Sequence, residues 1–475
     1  MRKFMLGACA FTLVCGCAVG PNYQRPATPV DTGFGNAGET GFAPNDVVQA
    51  YWTVFNDPLL DRLIDDAVAH NYDLQAATAN LRASRAERRL AGFDLYPTIT
   101  FSGGYTDALI SQQQFPEFPG IPESARHFDT ADTQFDALWE LDLFGRVRRN
   151  VEAARADVGG VKASVQDARV SVIAEVTRNY LILRGLQEQQ ALTLRNADNQ
   201  FSTLKLTRIR LEAGRGNELD TSRAEAQWAT TRATLPTLDS SIATTMYRLS
   251  VLTGRQPTAL NTLLFPSAPQ PVLPESISIG TPEQLLRRRP DVRVAERQLA
   301  AATARIGVAV GDLFPKVTVA GTFGYQAASF AALGEGDTRF YSFGPSISWP
   351  AFDLGRVLAR VSSARAQTDA ALARYQGAVL NALEDTERSL ITSARARARV
   401  DALQRAATAS DKAADLARQR FAGGLIDFLE VLDAERTALS AELLLSQSRT
   451  DAATSLVAVY KALGGGWEGP TPIER

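Results

Sequence analysis

Trp139-Glu-Leu-Asp-Leu-Phe-Gly-Arg-Val-Arg-Arg-Asn-Val-Glu-Ala-Ala-Arg-Ala156 and Trp349-Pro-Ala-Phe-Asp-Leu-Gly-Arg-Val-Leu-Ala-Arg-Val-Ser-Ser-Ala-Arg-Ala366 lie over one another at an offset of 210 residues, with no gap. They agree at Trp139/Trp349, Gly145/Gly355, Arg146/Arg356, Val147/Val357, Val151/Val361, Ala154/Ala364, Arg155/Arg365 and Ala156/Ala366, so the chain is an internal duplication. In each copy an alternating run reaches a glycine and passes into a heptad-like run. Alternation is the period of a strand and the heptad that of a packed helix. The pair therefore predicts a strand joined to a long helix, twice.

Outward from the glycine, Val151, Ala154, Val158, Val161, Val165, Ala168 and Val172 step by three and four in turn, the seam of a coiled coil. Val357, Val361, Ala364, Thr368, Ala371, Tyr375, Ala378 and Ala382 keep the register with smaller side chains, which suits close helix approach. Prolines are absent between Pro122 and Pro236 and between Pro350 and Pro470. A helix from Arg146 to about Glu212 extends roughly 100 Å at 1.5 Å per residue. Both helices are predicted to turn back at Arg210–Leu219 and Arg420–Leu429, where the offset still holds at Gly214/Gly424, Leu219/Leu429 and Glu225/Glu435. Returning helices are expected from about Glu218 to Leu252, kinked at Pro236, and from about Asp427 to Leu463.

Outward in the other direction lie the strands. Ile99, Phe101 and Tyr105 alternate with Thr98, Thr100 and Ser102, and Phe135, Ala137 and Trp139 with Gln134, Asp136 and Glu140. The second copy repeats this with Val317, Val319, Phe323 and Tyr325, then Tyr341, Phe343 and Ile347. Such alternation suits a barrel strand with one lipid face and one wet face. A half-buried soluble sheet has the same period, but the small polar-face residues favour an open lumen. Four strands cannot close a membrane barrel, which takes about eight or more because no open edge survives in lipid. The barrel is expected to be shared between chains, with the intervening loops outside the cell.

Met1-Arg-Lys, an apolar stretch and Val14-Cys-Gly-Cys17 read as a lipoprotein signal, with cleavage before Cys17 and acylation of its thiol. All three cysteines lie in this leader, so the body forms no disulfide. Fifty basic against 52 acidic residues argue against a nucleic-acid partner. His70 and His127 are the only histidines, and neither has metal-ligand spacing, so no metal and no His-based catalysis is expected. The chain then divides into a signal peptide (1–16), a tether (17–56), first-copy helices (57–97), a β-hairpin with outer loop (98–142) and a long helical hairpin (143–255). A linker (256–281), second-copy helices (282–315), a second β-hairpin (316–352), a second helical hairpin (353–463) and a tail (464–475) follow.

Cys17-Ala-Val-Gly-Pro-Asn-Tyr-Gln-Arg-Pro26, Phe55-Asn-Asp-Pro58-Leu59, Arg289-Pro-Asp-Val292 with Glu296, Leu313-Phe-Pro315, Phe352-Asp-Leu-Gly-Arg356 and Val431-Leu-Asp-Ala-Glu435, in this order and duplicated, resemble the TolC-like outer-membrane efflux lipoproteins of the OprM/NodT group. The resemblance implies a mixed α/β membrane protein: repeated helical hairpins forming a coiled-coil barrel, and four strands per chain in a trimeric β-barrel. It implies a homotrimer in outer-membrane lipid that docks to a periplasmic adaptor and an inner-membrane efflux pump. No cofactor follows, apart from covalent lipid on Cys17. The resemblance also puts a periplasmic gate at Leu429, Glu430 and Asp433 and adaptor-contact tips near Gly214 and Gly424. The first-copy positions Leu219, Asp220 and Arg223 carry a different charge pattern, so Arg223 is a candidate gate partner for Asp433. Alternatively Asp427 and Glu430 only cap the returning helix. A type I protein-secretion duct and a structural coiled-coil envelope protein share parts of the architecture; no nucleophile and base pattern supports an enzyme.

Overall fold

Asp57 opens the first helix. Its Oδ1 accepts hydrogen bonds from the amides of Leu59 (2.9 Å) and Leu60 (3.3 Å), and Pro58 needs no donor in the first turn, so α1 runs Pro58–His70. Asn71 then ends one helix and starts the next: its Oδ1 accepts from the amides of Asp73 (2.9 Å) and Leu74 (3.1 Å), and α2 spans Tyr72–Phe93. The computed structural model describes residues 18–39, 41–114 and 122–467. The expected signal peptide, the lipidation site Cys17 and loop residues 115–121 lie outside the described residues.

After α2 come β1 (Thr98–Leu109), β2 (His127–Leu141), α3 (Arg146–Glu212), α4 (Glu218–Ala233) and α5 (Leu235–Leu252). The second copy gives α6 (Pro282–Arg288), α7 (Pro290–Gly311), β3 (Lys316–Ala327), β4 (Arg339–Ser348), α8 (Leu354–Ala422) and α9 (Phe428–Ala462). Among the described residues, no helix is long and apolar enough to cross a membrane. The kink expected at Pro236 is instead a break two residues earlier, at Thr234: α4 ends at Ala233 and α5 restarts at Leu235 with Pro236 in its first turn. A proline there forfeits no helical hydrogen bond, whereas in mid-helix it removes one.

The chain forms two compact units. One holds residues 18–26, Leu81–Val161 and Val294–Tyr375, apart from the loop outside the described residues. Its centre is an antiparallel sheet in the order β1-β2-β3-β4, so the two hairpins of the duplication pair through β2 and β3 while β1 and β4 each leave one edge open. The Trp139 indole donates to Leu95 O (3.1 Å) and the Trp349 indole to Leu313 O (3.0 Å), the same tie in both copies. The stretch expected to be a loose tether is strapped down where it belongs to this unit. The buried Arg149 guanidinium donates to Val19 O (3.0 Å), Gly20 O (3.1 Å) and Asn22 Oδ1 (2.8 Å), and Tyr23 Oη donates to Glu296 (3.1 Å).

The other unit holds, of the described residues, Ala27–Asn80, Lys162–Arg293 and 376–467. Its core gathers Leu60, Leu63 and Ile64 of α1 with Ile173 and Leu181 of α3, Leu249 of α5 and Leu456 of α9. Each such buried side chain contributes about 1.5–3 kcal/mol. Tyr51 and Phe55, counted with the tether by sequence, are buried here, and Tyr51 stacks on Tyr460 at 4.9 Å. Arg289, also buried, grips Asp291 (3.0 and 2.7 Å) and donates to Ala382 O (3.3 Å) and Ala462 O (3.2 Å). The Arg-Pro-Asp motif is thus a structural clamp.

Candidate functional site

The tips of the two helical hairpins are built by one backbone device. Where α3 ends, Arg215 N–H donates to Arg210 O (2.8 Å) and Gly214 N–H to Leu211 O (3.0 Å); where α8 ends, Leu425 N–H donates to Arg420 O and Gly424 N–H to Phe421 O, both at 2.9 Å. This is the Schellman closure, which needs a left-handed residue after the helix. Gly214 and Gly424 supply it at φ +69° and +74°, with open space where a Cβ would stand. The expected adaptor-contact glycines are therefore turn-makers on exposed surface.

Past the glycines the copies diverge. Asn217 caps α4, its Oδ1 accepting from Asp220 N–H at 2.8 Å. Asp427 occupies the matching position before α9 but makes no side-chain capping bond, so the capping-box alternative for Asp427 and Glu430 is not formed. Leu429, Glu430 and Asp433 are all exposed, and Leu429 and Asp433, one turn apart, share a helix face. Leu219 and Leu429, equivalent in the duplication, are exposed to nearly the same extent, 57% and 55%. Arg223 is half-buried on α4, and among the described residues no ion pair joins it to Asp433 within one chain.

Below Leu429 the two tips share a small core, in which Phe428, Val431 and Leu432 pack with Phe421 of α8 and Leu204 and Ala224 of the first hairpin. At its edge the buried Glu435 accepts from Thr203 Oγ1 at 3.0 Å, with the Arg418 guanidinium 3.8 Å away. Burial pushes the Glu435 carboxyl up from its ordinary value, against the opposing pull of Thr203 and Arg418. Arg210 links the tips: it donates to Phe421 O (2.5 Å) and Ala422 O (3.1 Å), with its guanidinium 4.1 Å from the Phe421 ring centre. The sequence flagged Arg210 and Glu435 as repeat positions but gave no sign of these bonds.

The sheet supplies the second functional surface. Its register puts Ile99 and Phe101 of β1, Phe135 and Trp139 of β2, Val319 and Phe323 of β3, and Tyr341, Phe343 and Ile347 of β4 on one face. Thr100, Ser102, Gln134, Asp136, Thr322, Ser342 and Ser346 occupy the other, where Thr322 Oγ1 donates to Asp136 Oδ1 at 2.8 Å. Large aromatics on the first face are exposed, Phe343 to 78%.

A family model described as outer membrane efflux protein matches residues 63–255 and 281–465. The chain is 30% identical to Nodulation protein T of Rhizobium leguminosarum bv. trifolii, over 96% of both chains. It is 32% identical to outer membrane protein OprJ of Pseudomonas aeruginosa, over 98% of this chain and 97% of that one. Among solved structures it is similar to the outer-membrane channel OprN, with a TM-score of 0.88 and 39% identity over 95% of this chain and 100% of that one. The outer membrane channel MtrE of Neisseria gonorrhoeae, in its open state, matches with a TM-score of 0.84 and 28% identity over 96% of this chain and 100% of that one.

Proposed function

We propose, for a chain that belongs to the outer membrane efflux protein family and is an outer-membrane channel through which an efflux system discharges, that three copies close the conduit and that its periplasmic end is gated at the α9 tip. The sheet carries this reading. Four strands with an apolar face, a polar face and two open edges cannot sit in lipid alone, because each unpaired backbone group there is penalised by several kcal/mol. Three copies give twelve strands: β4 of each chain pairs with β1 of the next, aromatics face lipid, and a lumen of Thr, Ser, Gln and Asp conducts passively. Energy comes from an inner-membrane pump, reached through a periplasmic adaptor that contacts the surfaces around Gly214 and Gly424. Lipid on Cys17 adds a further anchor.

At the gate, Leu429 narrows the bore, and Glu430 and Asp433 each become a ring of three carboxylates that attracts cations and repels anions. Arg223, unpaired with Asp433 in its own chain, meets Asp433 of a neighbouring copy and holds the tip shut. Purified protein is expected to run as a trimer and to conduct in planar bilayers with cation preference, reduced in Asp433→Asn, while Arg223→Ala raises the open fraction. A monodisperse single subunit without conductance overturns the shared barrel. Unchanged conductance in Arg223→Ala removes only the Arg223 latch.

A further inference from the structure

At their loop ends β1 and β2 place Asp107 opposite Asp129 and Leu109 opposite His127. Residues two apart on a strand share a face, so the backbone register alone sends Asp107, Asp129 and His127 to one side. One ligand atom from each lies within 4.8 Å of the other two, and all three residues are exposed. His127 Nε2 stands 2.5 Å from Asp107 Oδ1. Like charges directly opposite on antiparallel strands are destabilising, and His127 faces Asp107 diagonally across the pair. A cation seated between the two carboxylates and the imidazole would offset the repulsion between Asp107 and Asp129.

We propose that Asp107, His127 and Asp129 form a binding site for a first-row divalent cation, zinc in particular, which pins the base of the loop between β1 and β2. One imidazole and two carboxylates at about 2.0–2.2 Å suit zinc and leave a coordination position for water. Calcium and magnesium prefer oxygen alone and fit the imidazole poorly. On binding, the Nε2 proton that His127 donates to Asp107 in the empty site passes to Nδ1, or to solvent where both ring nitrogens carry one, the freed Nε2 lone pair takes the metal, and the carboxylates close around the ion.

The full-length protein, purified in detergent without a histidine tag, is titrated with zinc chloride at pH 7.5 by calorimetry, and loop cleavage by a protease is followed in parallel. One zinc per chain is expected, with affinity weakened at least about tenfold in His127→Gln and in Asp129→Asn, and unchanged in the control His70→Gln. Zinc should slow loop cleavage in the wild type and not in His127→Gln, provided both keep the same oligomeric state and circular dichroism. Equal binding by wild type and His127→Gln, which means an adventitious ion only, overturns the site. So does loss of binding in His70→Gln.

Discussion

The first tip, from Arg210 to Leu219, and the second, from Arg420 to Leu429, have the same glycine-closed turn and present the same exposed leucine at the apex. Around that common frame, the first carries Glu218, Thr221 and Ser222 where the second buries Phe428, Val431 and Leu432. Glu225 is exposed and pairs with Arg208 at 3.2 Å, whereas the equivalent Glu435 is buried beside Arg418 at 3.8 Å. The start of α4 is held by a local cap and surface charges, the start of α9 by packing in a core to which the first hairpin lends Leu204 and Ala224. Exposed ion pairs contribute little, about 0–1 kcal/mol, while burial scales with area, so the start of α9 is held more firmly than the start of α4. Duplication kept what the backbone needs and let the side chains divide the work.

The sharpest way to break this contrast is Phe428→Ala. Removing a buried phenylalanine destabilises by about 3–5 kcal/mol, so hydrogen exchange should show the start of α9 opening while the Leu60 and Leu456 core stays protected. The matching Glu218→Ala should shift exchange at the first tip by less than about 0.5 kcal/mol. Equal effects at the two positions would mean that both tips are held alike. Next in size is Arg210→Ala, which leaves Phe421 O and Ala422 O without their guanidinium donor. Because Arg210 is half-buried, a loss of about 1–2 kcal/mol in exchange protection at the end of α8 is expected. Arg420→Ala, at an exposed position with no such reach, should change little.

The frame was legible because its signals are local. Gly145, Gly214, Gly355 and Gly424, the heptads between them and the period-two runs are short-range patterns, and α3 ends where those patterns stop. Long-range partnerships left no such mark. Nothing near Tyr51 in sequence announces that it stacks on Tyr460, so a Gly- and Pro-rich neighbourhood reads as tether up to core residues. Strand register likewise sets His127 beside Asp107, although a search for ligand spacing along the chain passes over both. Leu429, Glu430 and Asp433 rest on resemblance alone: exposed residues on the outer face of a helix start carry no pattern that separates a gate from a solvated face.

A smaller effect tests the caps. Asn217→Ala should destabilise the start of α4 by about 1 kcal/mol, the usual loss for a capping side chain. Asp427→Ala, with no capping bond to lose, should change α9 by only a few tenths of that. Exchange at the amides of Asp220 and Glu430 reads the two directly. If Asp427→Ala matched Asn217→Ala, Asp427 would be capping α9 in solution and the division of labour between the tips would narrow.

The smallest effect concerns protons. Burial raises the Glu435 carboxyl above its ordinary value, so the folded tip holds a proton more readily than the unfolded chain. Between the unfolded and folded pKa the native state then binds more protons, and stability falls as pH rises through that window. Exchange protection at the start of α9, corrected for intrinsic rates, should therefore increase on acidification from neutral pH toward the carboxylate range. Glu435→Gln keeps an acceptor for Thr203 but has no charge to desolvate. It should show the higher protection already at neutral pH, with a flat profile below it. A profile unchanged by Glu435→Gln would assign the pH response to other groups and leave the start of α9 held by the shared apolar core alone.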